Sequence, residues 1–139
     1  MHPVARFSCF LALALLLSGC SPALFVRLFN ATGDSITVSN TSSEKTLTIP
    51  AGTGADVSLH DPREQLFIRS SRALWSYSFR EFYQPRWPLS LWEQRAGVMR
   101  IYACVDSRGR IYVWTPPGGS QAAHEIQQPT GFPLRPHET

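Results

Sequence analysis

Cysteine and charged residues are scarce in this sequence, and Lys45 is the only lysine. The 139 residues include three Cys, and charged residues make up 17% of the chain, with a net charge of +3. Three Cys are too few for a disulfide-dense secreted scaffold. The mild positive charge falls well short of the basic balance of nucleic-acid-binding proteins, so we expect no nucleic-acid partner.

Apolar and aromatic residues, by contrast, are plentiful. They account for 43% and 12% of the chain, and the aromatic residues include four Trp. A chain with this composition can bury enough surface to offset the entropy lost on folding, which excludes disorder over the whole length. Since roughly 100–200 residues make one domain, we expect a single folded domain.

The N-terminus has the pattern of an export signal. Residues 1–6 contain Arg6 and no acidic residue, and the eleven residues from Phe7 to Leu17 have only Ser8 as a polar member. A helix of that length spans about 16 Å, which is too short for a permanent transmembrane helix and suits the apolar region of a signal peptide. The sequence Leu17-Ser18-Gly19-Cys20 follows directly.

These four residues resemble the lipobox of bacterial lipoproteins at every position. The resemblance implies a diacylglyceryl group on the Cys20 sulfur, cleavage between Gly19 and Cys20, and acylation of the new amine. Ser21 at the next position is compatible with export to the periplasmic leaflet of the outer membrane in a Gram-negative envelope. The covalent lipid on Cys20 is the only non-protein group we expect. The alternatives are an ordinary secretory signal with an accidental Cys and a short apolar segment at the N-terminus that belongs to the core.

The remaining chain is predicted to be all-β. Short β-branched or aromatic runs recur every 8–12 residues with turn residues between them, and no long stretch has helical periodicity. The pattern predicts a small antiparallel β-sandwich of immunoglobulin-like or transthyretin-like type. We expect a signal peptide at 1–19, forming a short helix, a lipidated tether at 20–23, the sandwich at 24–115, and an irregular tail rich in Pro and Gly at 116–139.

The last predicted hairpin is specified in detail. Pairing Val105 with Ile111 also pairs Ala103 with Val113, which gives one apolar face. The other face then has Cys104 opposite Tyr112 and Tyr102 opposite Trp114. This register leaves the loop 107–109, with Gly109 where a type I turn followed by a bulge requires a positive φ.

Two neighbouring segments are less regular. Leu89–Arg95 is predicted as two turns of helix, and residues 128–136 either dock on an aromatic groove or stay solvated.

Aromatic residues crowd residues 75–92, with Arg among them. Trp75, Tyr77 and Phe79 alternate with period two, so we interpret them as one inward face of a core strand. The candidates for a binding edge lie outside this pattern, and they are Tyr83, Arg86, Trp87 and Trp92. Trp and Tyr rings stack on sugars, and Arg binds anions, so such an edge suits a glycan or an anionic ligand.

No residue pattern supports catalysis or metal binding. Ser58, His60 and Asp61 are the residue types of a triad, but neighbours on a strand point to opposite faces. There is no Cys-x-x-Cys and no His-x-x-x-His, so we expect neither a metal site nor an enzyme. Cys104 has no intrachain partner once Cys20 is acylated, and we interpret it as a small buried apolar residue rather than a reactive thiol or an interchain bridge.

The mature domain resembles the small all-β lipoproteins of Gram-negative bacteria in its predicted architecture. That resemblance implies a membrane-anchored periplasmic module that binds or scaffolds a protein partner in the envelope without catalysis. The alternative, from another class, is a module that binds peptidoglycan fragments or another glycan.

Overall fold

Strands form where apolar and polar residues alternate, because one face of each strand is then buried. The computed structural model describes residues 23–82, 92–114 and 127–137. The predicted lipobox, with Gly19 and Cys20, lies outside the described residues, as do Tyr83, Arg86 and Trp87. In chain order the strands are β1 (Ala23–Ala31), β2 (Ile36–Asn40), β3 (Ser43–Ile49), β4 (Gly54–Leu59), β5 (Gln65–Arg69), β6 (Leu74–Ser78), β7 (Trp92–Arg95), β8 (Val98–Asp106) and β9 (Ile111–Trp114), and a 3-10 helix covers Phe79–Phe82.

The strands form two sheets packed as a β-sandwich, which confirms the predicted fold class. In the first sheet the order is β4-β1-β8, and β7 and β9 both pair with the remaining edge of β8. In the second sheet the order is β3-β2-β5-β6. All pairs are antiparallel except β1 with β8, which run parallel. A parallel pair is possible here because the whole second sheet lies between these strands in the chain, which supplies a long crossover.

The core lies between the two sheets. β1 buries every second residue, and β8 and β9 do the same in register with it. The second sheet contributes aliphatic residues and the fully buried ring of Tyr77, and the 3-10 helix that follows it adds the fully buried rings of Phe79 and Phe82. The buried apolar residues of the first sheet are Leu24, Val26, Leu28, Val57, Leu59, Ile101, Ala103, Val105, Ile111 and Val113. Tyr77 and Phe79 are buried as predicted, but the single strand predicted for them ends at Ser78, so Phe79 lies in the 3-10 helix instead. Trp75 packs at the margin of the core.

The predicted register of the last hairpin is confirmed at each pair. Val105 pairs with Ile111, Ala103 with Val113 and Cys104 with Tyr112, and Gly109 has a φ of 75°. The helix predicted for Leu89–Arg95 is wrong where the structure describes it. Residues 92–95 form β7, since Arg95 pairs with Val98 and the turn residues 96 and 97 both have positive φ, as a two-residue hairpin turn requires.

Residues 127–137 pack onto the sandwich, so the folded unit extends beyond the expected boundary at residue 115. Leu134 is buried and exchanges two backbone hydrogen bonds with Ile111, at 2.8 and 2.9 Å. The Gln128 side chain bonds both backbone groups of Val113. The backbone N–H of His137 donates to the Ser76 carbonyl in the other sheet. The segment therefore joins β9 to β6 and covers that side of the sandwich.

One end of the sandwich is held together by Asn30, and we call it the far end because it is opposite the residue where β1 begins. Asn30 is fully buried, and its amide nitrogen donates to the carbonyls of Asp34 and Ile49 at 2.7 and 2.9 Å. Its amide oxygen accepts from the backbone N–H and the hydroxyl of Thr32. This single side chain joins the end of β1 to the turn before β2 and to the end of β3.

The Asn30→Ala variant tests this role. It removes four hydrogen bonds, of which the one to the Ile49 carbonyl is buried and the others are partly buried, so we expect a loss of about 2–4 kcal/mol in the free energy of unfolding. The matched control is Asn40→Ala, because the Asn40 side chain accepts only a long, exposed bond of 3.4 Å from Ser42. We expect the control to cost less than about 0.5 kcal/mol. Urea titration followed by circular dichroism measures both, and equal losses would contradict the assignment.

Candidate functional site

The outer face of the first sheet carries an unusual density of aromatic rings. Its strands place five of them on the side away from the core, and each is only partly buried. We call this surface the aromatic face, and its members are Phe25, Phe29, Tyr102, Tyr112 and Trp114. Phe29 and Trp114 lie with ring centroids 4.8 Å apart. The Arg110 guanidinium lies 5.5 Å from the Tyr112 ring centroid, within reach of a cation–π interaction.

Charged residues cross the same face in a connected row. Asp56 on β4 forms ion pairs with Arg27 at 3.5 Å and with Arg100 at 3.2 Å. The negative charge of Asp56 is the main cause of the raised pKa of Arg100. On the other side of Arg100, the Tyr102 hydroxyl donates to Glu93. Burial, followed by the Glu93 hydrogen bond and charge, raises the pKa of Tyr102, so this hydroxyl remains a donor.

Two donors on this face are not satisfied. The Nε–H group of Arg100 and the indole N–H group of Trp114 are buried and have no hydrogen-bond partner within the described residues. A buried donor without an acceptor costs about 1–3 kcal/mol. The outer face of the second sheet differs in composition, since its strands present mainly Thr, Ser and charged residues with Phe67 as their aromatic member. The aromatic face therefore has features that folding stability alone does not explain.

Three turns form a small cleft at the far end, which we call the far-end cleft. Its volume is about 240 Å³, and residues from the turns after β1, β5 and β8 line it. Trp75 lies on one wall, held against the backbone of Gly109. The Tyr77 hydroxyl donates to the Gly109 carbonyl at 2.5 Å and fixes the same loop from the second sheet. Arg72 and Asp34 also line this cleft.

A second cleft, the side cleft, lies between the edge strands β3 and β4 and measures about 380 Å³. The Ser58 hydroxyl and His60 Nε2 are 2.7 Å apart on its rim. Asp61 instead bonds Arg63, whose backbone N–H is the main cause of the lowered pKa of Asp61. Asp56 is engaged by the two arginines of the aromatic face. No carboxylate in the described ranges therefore bonds His60, so the pair lacks the group that orients the base in a triad.

The sequence-predicted binding edge can be located only in part. Tyr83, Arg86 and Trp87 lie outside the described residues, and Trp92 begins β7, with its backbone opposite Ile101. The sequence analysis missed both the aromatic face and the far-end cleft. The first had a signal, because the predicted hairpin register already placed Tyr102, Tyr112 and Trp114 together. The second joins turns that are far apart in the chain, and no local pattern marks it.

Comparison of the chain with models of protein families, with curated proteins and with solved structures finds no match to any of them. In the described ranges, no helix has the length and apolarity needed to cross a membrane. Across those same ranges, no three His, Cys, Asp or Glu side chains come together as a metal-binding group.

Cys104 lies on the outer side of β8, where it pairs with Phe29 on β1 and with Tyr112 on β9. Its thiol is buried. Burial, assisted by the charge of Asp106, raises its pKa to about 11. This environment disfavours the thiolate that both disulfide exchange and nucleophilic attack require.

We expect Cys104 to resist alkylation in the folded protein. With a pKa of about 11, only about one thiol in a thousand is ionised at pH 8, whereas an ordinary Cys is substantially ionised there. Iodoacetamide labelling of the Cys104 peptide, quantified by mass spectrometry, should be slow in buffer and fast in urea. Equal labelling rates in the two conditions would show a reactive thiol instead.

A pair of glycine variants tests how Trp75 is positioned. Gly33 and Gly109 both have positive φ, but a Cβ at Gly33 meets open space, whereas a Cβ at Gly109 would lie 2.7 Å from three Trp75 ring atoms. Gly33→Ala should cost about 1 kcal/mol through backbone strain. Gly109→Ala should cost about 1–3 kcal/mol more, because Trp75 must also move. Urea unfolding measures both, and equal costs would mean that Trp75 does not pack on this loop.

Proposed function

We propose that the protein is a membrane-anchored periplasmic lipoprotein that binds or scaffolds a protein partner in the cell envelope without catalysis. Lipid on Cys20 is its anchor, and the periplasmic leaflet of the outer membrane is its location. The observation that carries the protein-binding role is the aromatic face. Tyr, Trp and Arg are the residue types that dominate the energetic centres of protein interfaces.

The position of the lipobox relative to the sandwich supports the anchoring role. Ser21 and Pro22 alone separate Cys20 from Ala23, where β1 begins. A lipid at Cys20 would therefore hold the near end of the sandwich at the bilayer. β1 is about 30 Å long at about 3.3 Å per residue. Such a tether raises the effective concentration of the domain for other envelope proteins.

The chemistry of the aromatic face supports a protein rather than a small molecule. The rings are spread over three neighbouring strands, whereas a small-molecule site is concave and encloses its ligand. Asp56, Arg27 and Arg100 provide charges among and beside the rings, where they would select partners through complementary charge. We propose that the partner contributes an apolar centre and hydrogen-bond acceptors to this surface.

Site-specific photocrosslinking tests the proposal in intact cells. A photoreactive phenylalanine analogue replaces Tyr112 in one variant and Phe67 in the other. Both residues are partly buried aromatics on outer sheet faces, but they lie on opposite sheets. We expect an adduct of one defined mass from position 112 and none of that mass from position 67.

The same experiment in a Cys20→Ala background tests the anchor. An exported but unlipidated protein should give several-fold less adduct, because the tether no longer concentrates it at the membrane. No adduct at position 112, or the same adduct at both positions, would contradict the proposed interface. An undiminished adduct in the Cys20→Ala background would contradict the role of the tether.

A further inference from the structure

We infer that the far-end cleft binds a single sugar ring that carries a carboxylate. This site uses residues other than those of the aromatic face, so it stands apart from the proposed protein-binding role. It also lies at the opposite end of β1 from Cys20, on the side that an anchored protein would turn away from its own membrane.

Two unpaired charges of opposite sign provide the first argument. Arg72 and Asp34 line the same cleft, yet they form no ion pair with each other. The Arg72 guanidinium is exposed and has no ion-pair partner within the described chain. One carboxylate oxygen of Asp34 accepts from Ser71 at 2.7 Å. The planar guanidinium of an Arg can donate two parallel hydrogen bonds to a ligand carboxylate. An Asp oxygen accepts hydrogen bonds from ligand hydroxyl groups.

The remaining lining fits a sugar better than an inorganic anion. Trp75 supplies an aromatic surface against which the C–H groups of a pyranose ring can pack. Ser107 adds a hydroxyl group, whereas the Thr32 hydroxyl is already engaged with Asn30 and Asp34. The Ser70 hydroxyl already accepts from the N–H groups of its own turn, which keeps that wall fixed.

The size of the far-end cleft limits the ligand to one ring. Its volume of about 240 Å³ is below the range of about 300–1,000 Å³ for pockets that enclose drug-sized ligands. A longer glycan would place one ring here and leave the rest outside.

Titration of the lipidated protein in detergent micelles, followed by the indole N–H signal of Trp75 in NMR spectra, tests the inference. N-acetylmuramic acid represents a cell-wall source of the acidic ring, and glucuronic acid represents an acidic polysaccharide. N-acetylglucosamine and glucose are the matched neutral sugars, and acetate is the carboxylate without a ring. We expect saturable shifts with at least one acidic sugar, binding at least about tenfold weaker with its neutral partner, and none with acetate. Which acid binds more tightly identifies the source.

Two arginine variants separate a specific site from general charge attraction. Arg72→Gln should weaken binding of the acidic sugar at least about tenfold, because it removes the charged hydrogen bonds. Arg69→Gln is the matched control, since Arg69 is an exposed arginine on β5 that does not line the cleft. Both are surface changes that should leave the urea midpoint unaltered. Equal binding of acidic and neutral sugars, equal effects of the two variants, or no shift at Trp75 would each overturn the inference.

Discussion

The buried amide of Asn30 is the interaction on which the far end of the sandwich depends. Four hydrogen bonds from one side chain join the last residues of β1 to the turn before β2 and to the end of β3. The Tyr77 hydroxyl makes a comparable connection from the second sheet to the loop between β8 and β9. Because these contacts fix turns that belong to different sheets, the walls of the far-end cleft are held in place before any ligand arrives, which lowers the entropy cost of binding.

The two outer surfaces of the sandwich have different physical characters, and this asymmetry is the main argument about function. A sheet can cover a core without large rings on its solvent side, although rings on neighbouring strands do stabilise one another. The first sheet nevertheless carries five rings there, with a charged row from Asp56 to Glu93 and two buried donors that find no acceptor among the described residues. The second sheet carries mostly hydroxyl and charged side chains. Interfaces concentrate aromatic residues and Arg at their centres, so the first sheet has the composition of a binding surface.

Local patterns in the sequence predicted the parts of the fold that local physics determines. The register of β8 with β9 follows from apolar alternation together with the turn chemistry of Gly109, and both point to one answer. Pairings between segments far apart in the chain could not be predicted from local sequence patterns. The parallel pairing of β1 with β8 and the docking of Leu134 beside Ile111 depend on contacts between distant segments. Residues 92–95 have helix-compatible composition, but the free edge of β8 pairs with them as a strand, so tertiary context overrides the local preference.

The proposed anchor at Cys20 would determine which end of the sandwich faces a membrane, and it would connect the two proposed surfaces to a place in the envelope. The most direct test is mass spectrometry of the N-terminal peptide from protein extracted from the membranes of the native organism. The account predicts that this peptide begins at Cys20 and carries the mass of a diacylglyceryl group together with an N-linked acyl chain. An intact bond between Gly19 and Cys20, or a Cys20 with no lipid, would contradict it.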